Sequence, residues 1–371
     1  MIEFLPVLVL VLTFVVLLII GVPVAWCIAI SSMFTLMLAM PVSAATTTVS
    51  QRIATGLDSF ALLAIPFFIL SGQIMSKGGI ANRLISFAKT LVGFLPGGLA
   101  LINIVSAMLM GAIAGSAMAS ASAMGTILGP EMEKEGYSKE FGAAVNITSS
   151  TTGLVIPPSN TLIVYSLASG GVSIAALFLA GYIPGILTGL LMMIVAMIWA
   201  KKNNYPVGKR SSLKEVFVKF IDAFPSLLLL VIVIGGIIGG IFTATEASAV
   251  AVLYTVLLSF YYKEMSLKDL PKVILESVET TSIVMLLIGA SMCMSWVLSY
   301  ENIPQDISNA LLSVSDNKIV ILLMINVILL AVGIFMDATP AVLIFTPIFL
   351  PIVTALGMDP THFGIVLMLN L

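Results

Sequence analysis

The chain has 371 residues, of which 60% are apolar and only 9% charged; its net charge is −2 and its mean hydropathy +1.17. A water-facing surface needs roughly a quarter of charged residues, so a soluble globular protein is excluded, whereas a chain whose outer face meets lipid is expected to be apolar throughout. The near-neutral balance also excludes the basic field on which nucleic-acid binding depends.

Taken in order, the first apolar run extends from Phe4 to Met40, far beyond a signal-peptide core. It reads as two helices broken near Gly21-Val22-Pro23. Further apolar segments lie near 60–76, 96–113, 141–155, 161–168, 172–200, 224–242, 246–262, 280–299, 319–335 and 362–371. Three amphipathic stretches fall between them: Ile80 to Lys89, Ser212 to Asp222, and Ser266 to Ser277. Stretches of this kind lie in a membrane interface rather than span it. The richest basic loop carries Lys201, Lys202, Lys209, Arg210 and Lys214, and the positive-inside rule places it in the cytoplasm. Cys27 and Cys293 both sit in apolar runs and read as small buried hydrophobes. His362 is the single histidine, so histidine-based metal sites and His-dependent catalysis have little to build on.

The two halves resemble one another at an offset of about 222 residues. Ala25 aligns with Ala247, Ile102-Asn103-Ile104 with Ile325-Asn326-Val327, and Pro130, Gly136 and Phe141-Gly142 with Pro351, Gly357 and Phe363-Gly364. Paired repeats, taken here as inverted, are how many secondary transporters are built, because two related halves that exchange roles give outward-open and inward-open states of similar energy. The expected organisation is a first repeat over 1–200, a cytoplasmic loop with an amphipathic helix over 201–222, and a second repeat over 223–371. Leu371 aligns near Ser149, so the second repeat is expected to be C-terminally incomplete.

Three segments carry the chemistry. The first, Gly111 to Thr126, is uncharged and rich in small residues, including Ser116, Ser120 and Ser122. Close helix packing explains such a run; the functional alternative is a re-entrant hairpin, near 111–128, whose tip presents hydroxyls and free backbone groups. The second, Asn146 to Thr161, includes Ser149, Ser150, Thr151, Thr152, Gly153, Pro157, Pro158, Ser159, Asn160 and Thr161. Two prolines break a helix by removing donors, and the break, expected near 141–168, is surrounded by hydroxyls and an amide. Freed carbonyls with these oxygens form a neutral cage suited to Na⁺, and the next half-helix aims its N–H groups at a carboxylate. The third runs from Gly333 through Asp337 and Thr339 to Pro340 and is the repeat partner of the first, a hairpin near 333–355. Asp337 is an intramembrane carboxylate, a functional candidate by default: an ion ligand, a proton carrier or a cap of the hairpin tip, the cap being the reading favoured over direct ion ligation. Glu246, in Thr243-Ala-Thr-Glu, reads as part of a helix cap. No Lys or Arg lies deep in any expected span, so an anionic cargo is held by helix ends, hydroxyls and nearby cations. Few embedded acids and many hydroxyls favour Na⁺ over H⁺ coupling.

With these residues in view, the chain resembles the large membrane subunit of tripartite ATP-independent periplasmic (TRAP) transporters, the DctM-like permease. The stretches that carry the resemblance are Gly115-Ser116-Ala117, Gly136-Tyr137 with Phe141, Ile156-Pro157-Pro158-Ser159, Thr245-Glu246-Ala247, Met336 to Pro340, and Gly357 to Pro360 with Phe363-Gly364. The resemblance covers essentially the whole chain. It implies an all-α polytopic membrane protein of the bacterial inner membrane, an elevator-type carrier with a scaffold and a moving domain that holds both hairpins and both broken helices. It implies a small four-helix membrane subunit and a periplasmic substrate-binding protein as partners, Na⁺ as coupling ion with no other cofactor, and C4-dicarboxylates, sugar acids or sialic acids as cargo. The ion is then expected at the broken helix and hairpin tips, on Ser116, Ser159, Asn160, Gly333 and Asp337. The carboxylate usual in the family's first hairpin is Ser120 here, and the family's late Thr-Pro-Pro motif is missing from these residues. The competing reading is a stand-alone Na⁺/dicarboxylate symporter. An intramembrane enzyme would need a nucleophile–base pair that the hydroxyls near Ser149 lack, and a channel would not need paired hairpins.

Overall fold

The computed structural model describes residues 5–315, 317–334 and 336–371. Phe4 and Phe335, which fall inside two of the segments above, lie outside the described residues. Every regular element of the described residues is helical. The two opening helices are α1 (Leu5–Ile20) and α2 (Val24–Ala39), separated by Gly21 at φ +88° and Pro23. There follow α3 (Val42–Leu57), α4 (Ala64–Lys77), α5 (Ile80–Val92), α6 (Gly98–Ala114), α7 (Ala117–Lys134), α8 (Lys139–Ser150), a single turn α9 (Thr152–Val155) and α10 (Asn160–Ala168). Then come α11 (Ile174–Lys202), α12 (Leu213–Ile238), α13 (Ala244–Tyr261), α14 (Leu270–Tyr300), α15 (Ile303–Val314), α16 (Lys318–Gly333), α17 (Ala338–Ala355) and α18 (Pro360–Asn370). Among the described residues, six helices are long and apolar enough to cross a membrane, the longest being α14 with 31 residues. The protein is a multi-pass membrane protein.

Two amphipathic stretches differ from their sequence reading. Residues 212–222 form the opening turns of the continuous helix α12, and most of 266–277 belongs to α14. Pro225 lies inside α12 without ending it. Neighbouring hydroxyls support the backbone around it, as membrane helices with internal prolines require: Tyr262 donates to the Asp222 carbonyl at 3.2 Å and Tyr254 to the Pro225 carbonyl at 2.7 Å. The third stretch does form its own helix, α5, which buries Ile80, Leu84, Ile85 and Ala88 along one face.

The helices divide into two compact units, each discontinuous in sequence. One comprises Leu63–Ile163 and Ile174–Val278. In it α4 runs along α13, α5 packs on α6 and α12, and α6 forms a centre touched by α7, α8, α9 and α11. Arg83 of α5 pairs with Asp222 at 3.3 Å and lies 3.7 Å above the Tyr262 ring; Lys77 pairs with Glu276. At the base of α8, Tyr137 stacks on Tyr205 at 4.4 Å and Phe141 on Trp199 at 6.2 Å. The start of α13 carries a complete capping box, with the Thr243 hydroxyl accepting from the Glu246 N–H and the Glu246 carboxylate accepting from the Thr243 N–H. We expect Thr243→Ala to cost about 1 kcal/mol of stability, read as a lowered thermal midpoint in detergent, while Thr243→Ser leaves the midpoint nearly unchanged.

The second unit comprises Met1–Leu62, Val164–Ser173 and Glu279–Leu371. Here α1 packs on α2, and α16, α17 and α18 pack on one another. The Tyr165 ring is fully buried against Gly364, where an added Cβ would lie 2.5 Å from the ring, and its hydroxyl donates to the Pro360 carbonyl at 2.5 Å. Asp359 caps α18, and hydrogen bonds from Thr361 hold its carboxyl below the usual carboxylate range. Cys27 and Cys293 are free thiols buried in this unit.

Candidate functional site

The first two sequence segments meet in one unit. Helix α6 ends at Gly115, whose φ of +61° turns the chain back, and Ser116 opens α7 with its hydroxyl accepting from the Ala119 N–H at 3.4 Å. The pair α6–α7 is therefore a helical hairpin with its tip at Gly115-Ser116. Against this tip lies the interruption between α9 and α10, where Ile156 turns extended and Pro157-Pro158 carry the chain to Ser159. The Asn160 N–H donates to the Gly115 carbonyl at 3.3 Å. An added Cβ on Gly115 would stand 2.9 Å from the Pro158 carbonyl oxygen. One turn earlier, Gly111 and Gly153 touch backbone to backbone, since a Cβ on Gly111 would stand 2.5 Å from the Gly153 Cα. Neither position has room for a side chain. The small residues of the first segment thus serve close packing and tip geometry together.

The polar groups around the interruption divide into two sets. Most hydroxyls donate back to the preceding turn: Ser150 to the Asn146 carbonyl at 2.6 Å, Thr151 to Thr148 at 2.8 Å and Thr152 to Ser149 at 2.6 Å. Ser159 donates to the Leu154 carbonyl at 2.6 Å and accepts from the Leu162 N–H at 3.3 Å, bracing both sides of the break. Others tie helices together. Ser149 donates to the Asn103 amide oxygen at 3.2 Å, Ser120 to the Ala107 carbonyl at 3.2 Å, and Asn146 to the Ala121 carbonyl at 2.9 Å. Ser122 is exposed, away from the break, and Thr161 is buried in the first turn of α10.

Two amide oxygens, Asn160 Oδ1 and Asn146 Oδ1, are buried with no hydrogen-bond donor. An orphaned buried acceptor costs about 1–3 kcal/mol, so each is an unusual feature of a native fold. Asn160 sits at the hairpin tip, its N–H on the Gly115 carbonyl and its side chain near Gly115 together with the Pro158 carbonyl oxygen. Among the described residues, no group of three His, Cys, Asp or Glu side chains is placed to hold a metal ion. The donors at the break are neutral carbonyl, hydroxyl and amide oxygens, the ligand set of a hard monovalent cation rather than a transition metal.

The third segment forms its own tip in the other unit. Helix α16 ends at Gly333, and Asp337 caps α17 with its carboxylate accepting from the Thr339 N–H at 3.2 Å. A Cβ on Gly333 would stand 3.0 Å from the Asn370 carbonyl oxygen, and the Asn370 amide donates to the Asn326 amide oxygen at 2.7 Å. Asn103, Asn146, Asn326 and Asn370 are the polar residues that the sequence reading left out of its site. For Asn103 and Asn326, an asparagine in the middle of an apolar helix is the signal that would have included them.

The sequence profile of the family described as "Tripartite ATP-independent periplasmic transporter, DctM component" matches residues 11–371. A Salmonella typhimurium protein, YgiK, is 56% identical over 366 residues, covering 99% of this chain and 84% of that protein. The C4-dicarboxylate TRAP transporter large permease protein DctM of Pseudomonas aeruginosa is 41% identical, over 85% of this chain and 74% of its own length. The sialic acid TRAP transporter large permease protein SiaM of Vibrio cholerae is 38% identical, over 87% and 75%. Among solved structures, the YdaH transporter of Alcanivorax borkumensis superposes with a TM-score of 0.59 at 13% identity, covering 88% of this chain and 76% of that one, a likeness of fold alone. The relatives named DctM and SiaM are transporter permeases and not enzymes, and with the profile spanning nearly every residue, the chain belongs to the DctM family of TRAP transporter large permease components.

Proposed function

We propose that this chain is the permease of a Na⁺-coupled, binding-protein-dependent uptake system for small organic acids in the bacterial inner membrane. The observation that carries the ion assignment is the unpartnered Asn160 amide oxygen beside the Gly115 carbonyl, at a proline-interrupted helix seated on a hairpin tip. Na⁺ is the ligand that such neutral oxygens suit, with Ser116 and Ser159 at the same break. The named relatives carry C4-dicarboxylate, sialic acid and 2,3-diketo-L-gulonate, all organic acids, and cargo of that class is proposed here. A small membrane subunit and a periplasmic binding protein complete the assembly. An isethionate permease of Oleidesulfovibrio alaskensis, 39% identical, is named DctMQ and is covered over only 56% of its length, as expected where one polypeptide carries more than this permease.

Movement follows the elevator scheme, built on an internal repeat. Several matched features support that repeat: Gly136 and Gly357 both have positive φ, at +85° and +80°; Ser138 and Asp359 cap α8 and α18; Ser116 and Asp337 cap α7 and α17. Asn103 and Asn326, one turn or more before each tip, each accept a hydrogen bond from the helix that follows the hairpin.

The test is uptake into proteoliposomes holding the full permease complex, with and without the binding protein. A Na⁺ gradient is expected to stimulate uptake of the bound acid at least about tenfold over a K⁺ gradient, since coupling of a few kcal/mol translates into one decade or more. Equal rates in both gradients remove Na⁺ from the mechanism. Full rates without the binding protein would make the chain a stand-alone symporter.

A further inference from the structure

Far from the interruption, the unit of Leu63–Ile163 and Ile174–Val278 holds a cavity of about 520 Å³. Its walls come from the end of α5, the start of α6, the loop between α11 and α12, and the first turns of α12. Four cations face it: Lys89, Lys209, Arg210 and Lys219, against two carboxylates, Glu135 and Glu215. The lining is therefore net positive by two charges in a chain whose overall charge is −2. None of these six groups takes part in an ion pair among the described residues. Arg210 is instead parked over the Phe94 ring, 5.3 Å from its centre.

The floor of the cavity is built, not draped. The loop is strapped to the turn before α6 by a backbone bridge between Pro96 and Val207. Gly208 and Gly98 both press on the Gly93 carbonyl oxygen, where an added Cβ would stand at 2.4 Å and 2.3 Å respectively. Lys209 and Arg210 are thereby held opposite Lys89 of α5.

Depth follows from α12. Leu213, Phe217, Ile221 and Phe224 lie on one face of that helix at successive turns, and all are exposed. An apolar exposed stripe beginning at the first residue of a spanning helix marks the edge of the hydrocarbon. Glu215 and Lys219 occupy the opposite face of the same turns, so the cavity opens at headgroup level.

We propose that this cavity binds the phosphate-bearing headgroup of an anionic phospholipid. Basic pockets between spanning helices at the membrane surface suit such headgroups, each Lys or Arg contributing about fivefold in affinity. Serine hydroxyls at Ser86 and Ser211 add donors for phosphate oxygens. The proposal is independent of the coupling ion and cargo.

The experiment is native mass spectrometry of the purified full-length chain, titrated separately with phosphatidylglycerol, phosphatidylcholine and inorganic phosphate. The variants are Lys209→Gln with Arg210→Gln, Lys89→Gln alone from the opposite wall, and Lys201→Gln with Lys202→Gln as a control of equal charge change outside the cavity. Phosphatidylglycerol is expected to stay bound to the parent and the control. Retention should fall about tenfold in the loop double variant and severalfold in Lys89→Gln, with neither phosphatidylcholine nor inorganic phosphate retained. Equal loss in the control and the loop variant would reduce the cavity to a diffuse basic surface. Retention of inorganic phosphate, or its displacement of the lipid, would make this a site for a soluble anion. Either result overturns the proposal. Far-UV circular dichroism of each variant confirms that the exposed substitutions leave the helices intact.

Discussion

Replacing Gly111 with valine is expected to abolish uptake while the chain still inserts and assembles. The Gly111 and Gly153 backbones are in direct contact, so even one added carbon would stand 2.5 Å from the Gly153 Cα. Real atoms do not approach so closely, and neither partner is the end of a flexible side chain. The hairpin must therefore move away from the interrupted helix. The direct cost is that of overpacking, about 1–3 kcal/mol, which a membrane protein held by many other helix contacts can survive. The functional cost is larger. The Asn160 N–H to Gly115 carbonyl bond, at 3.3 Å, is already near its limit, and a displacement of an ångström severs it and spreads the oxygens of the proposed ion site. Uptake below about a hundredth of the parent rate, with normal amounts in the membrane, is the expected result, in line with the sensitivity of positioned sites to small displacements. Gly111→Ala should lie between the two. Parent-like transport by Gly111→Val would show that the contact between tip and break has no part in the cycle.

The second large effect is expected at Asn160. Asn160→Ala removes an unpartnered buried acceptor. If that oxygen served only packing, its loss would be neutral or stabilising, because the penalty of burying an unpaired polar atom disappears. If it faces Na⁺, the Na⁺ concentration for half-maximal uptake should rise at least about tenfold, the equivalent of one charge-assisted contact of about 1.4 kcal/mol or more. Thermal stability without Na⁺ should stay level or rise, and the stabilisation that Na⁺ gives the parent should shrink. Ser159→Ala provides the contrast. The Ser159 hydroxyl donates to Leu154 and accepts from the Leu162 N–H, so its loss should lower stability with and without Na⁺ alike. An unchanged Na⁺ dependence in Asn160→Ala would take that residue out of the ion site.

Much of this was legible in the residues themselves. The two opening helices could be read from Gly21 and Pro23, because a left-handed glycine before a proline ends one helix and starts the next. Glu246 could be placed three residues after Thr243 as half of a capping box for the same local reason. The interruption after Val155 follows from paired prolines, and the turn at Gly115-Ser116 from a glycine followed by a capping serine. What the sequence hid was long-range. Nothing local in Ser212–Asp222 says that α12 will run on through Pro225, since the hydroxyls that support it come from Tyr254 and Tyr262, dozens of residues away. Nor does the serine- and threonine-rich run before Gly153 reveal which hydroxyls face a ligand. In the fold most of them spend their proton on the preceding turn, and an asparagine carries the unmatched oxygen.

That last habit has a mechanical consequence. From Thr148 to Thr152, every hydroxyl but that of Ser149, which turns to Asn103, donates to a carbonyl three or four residues earlier. Carbonyls shared in this way hold their main-chain donors less firmly, and helices containing such bonds bend readily. The last turns before the prolines therefore behave as a compliant spring rather than a stiff rod. Strain imposed at the tip can be absorbed over a whole turn, without a single brittle hinge.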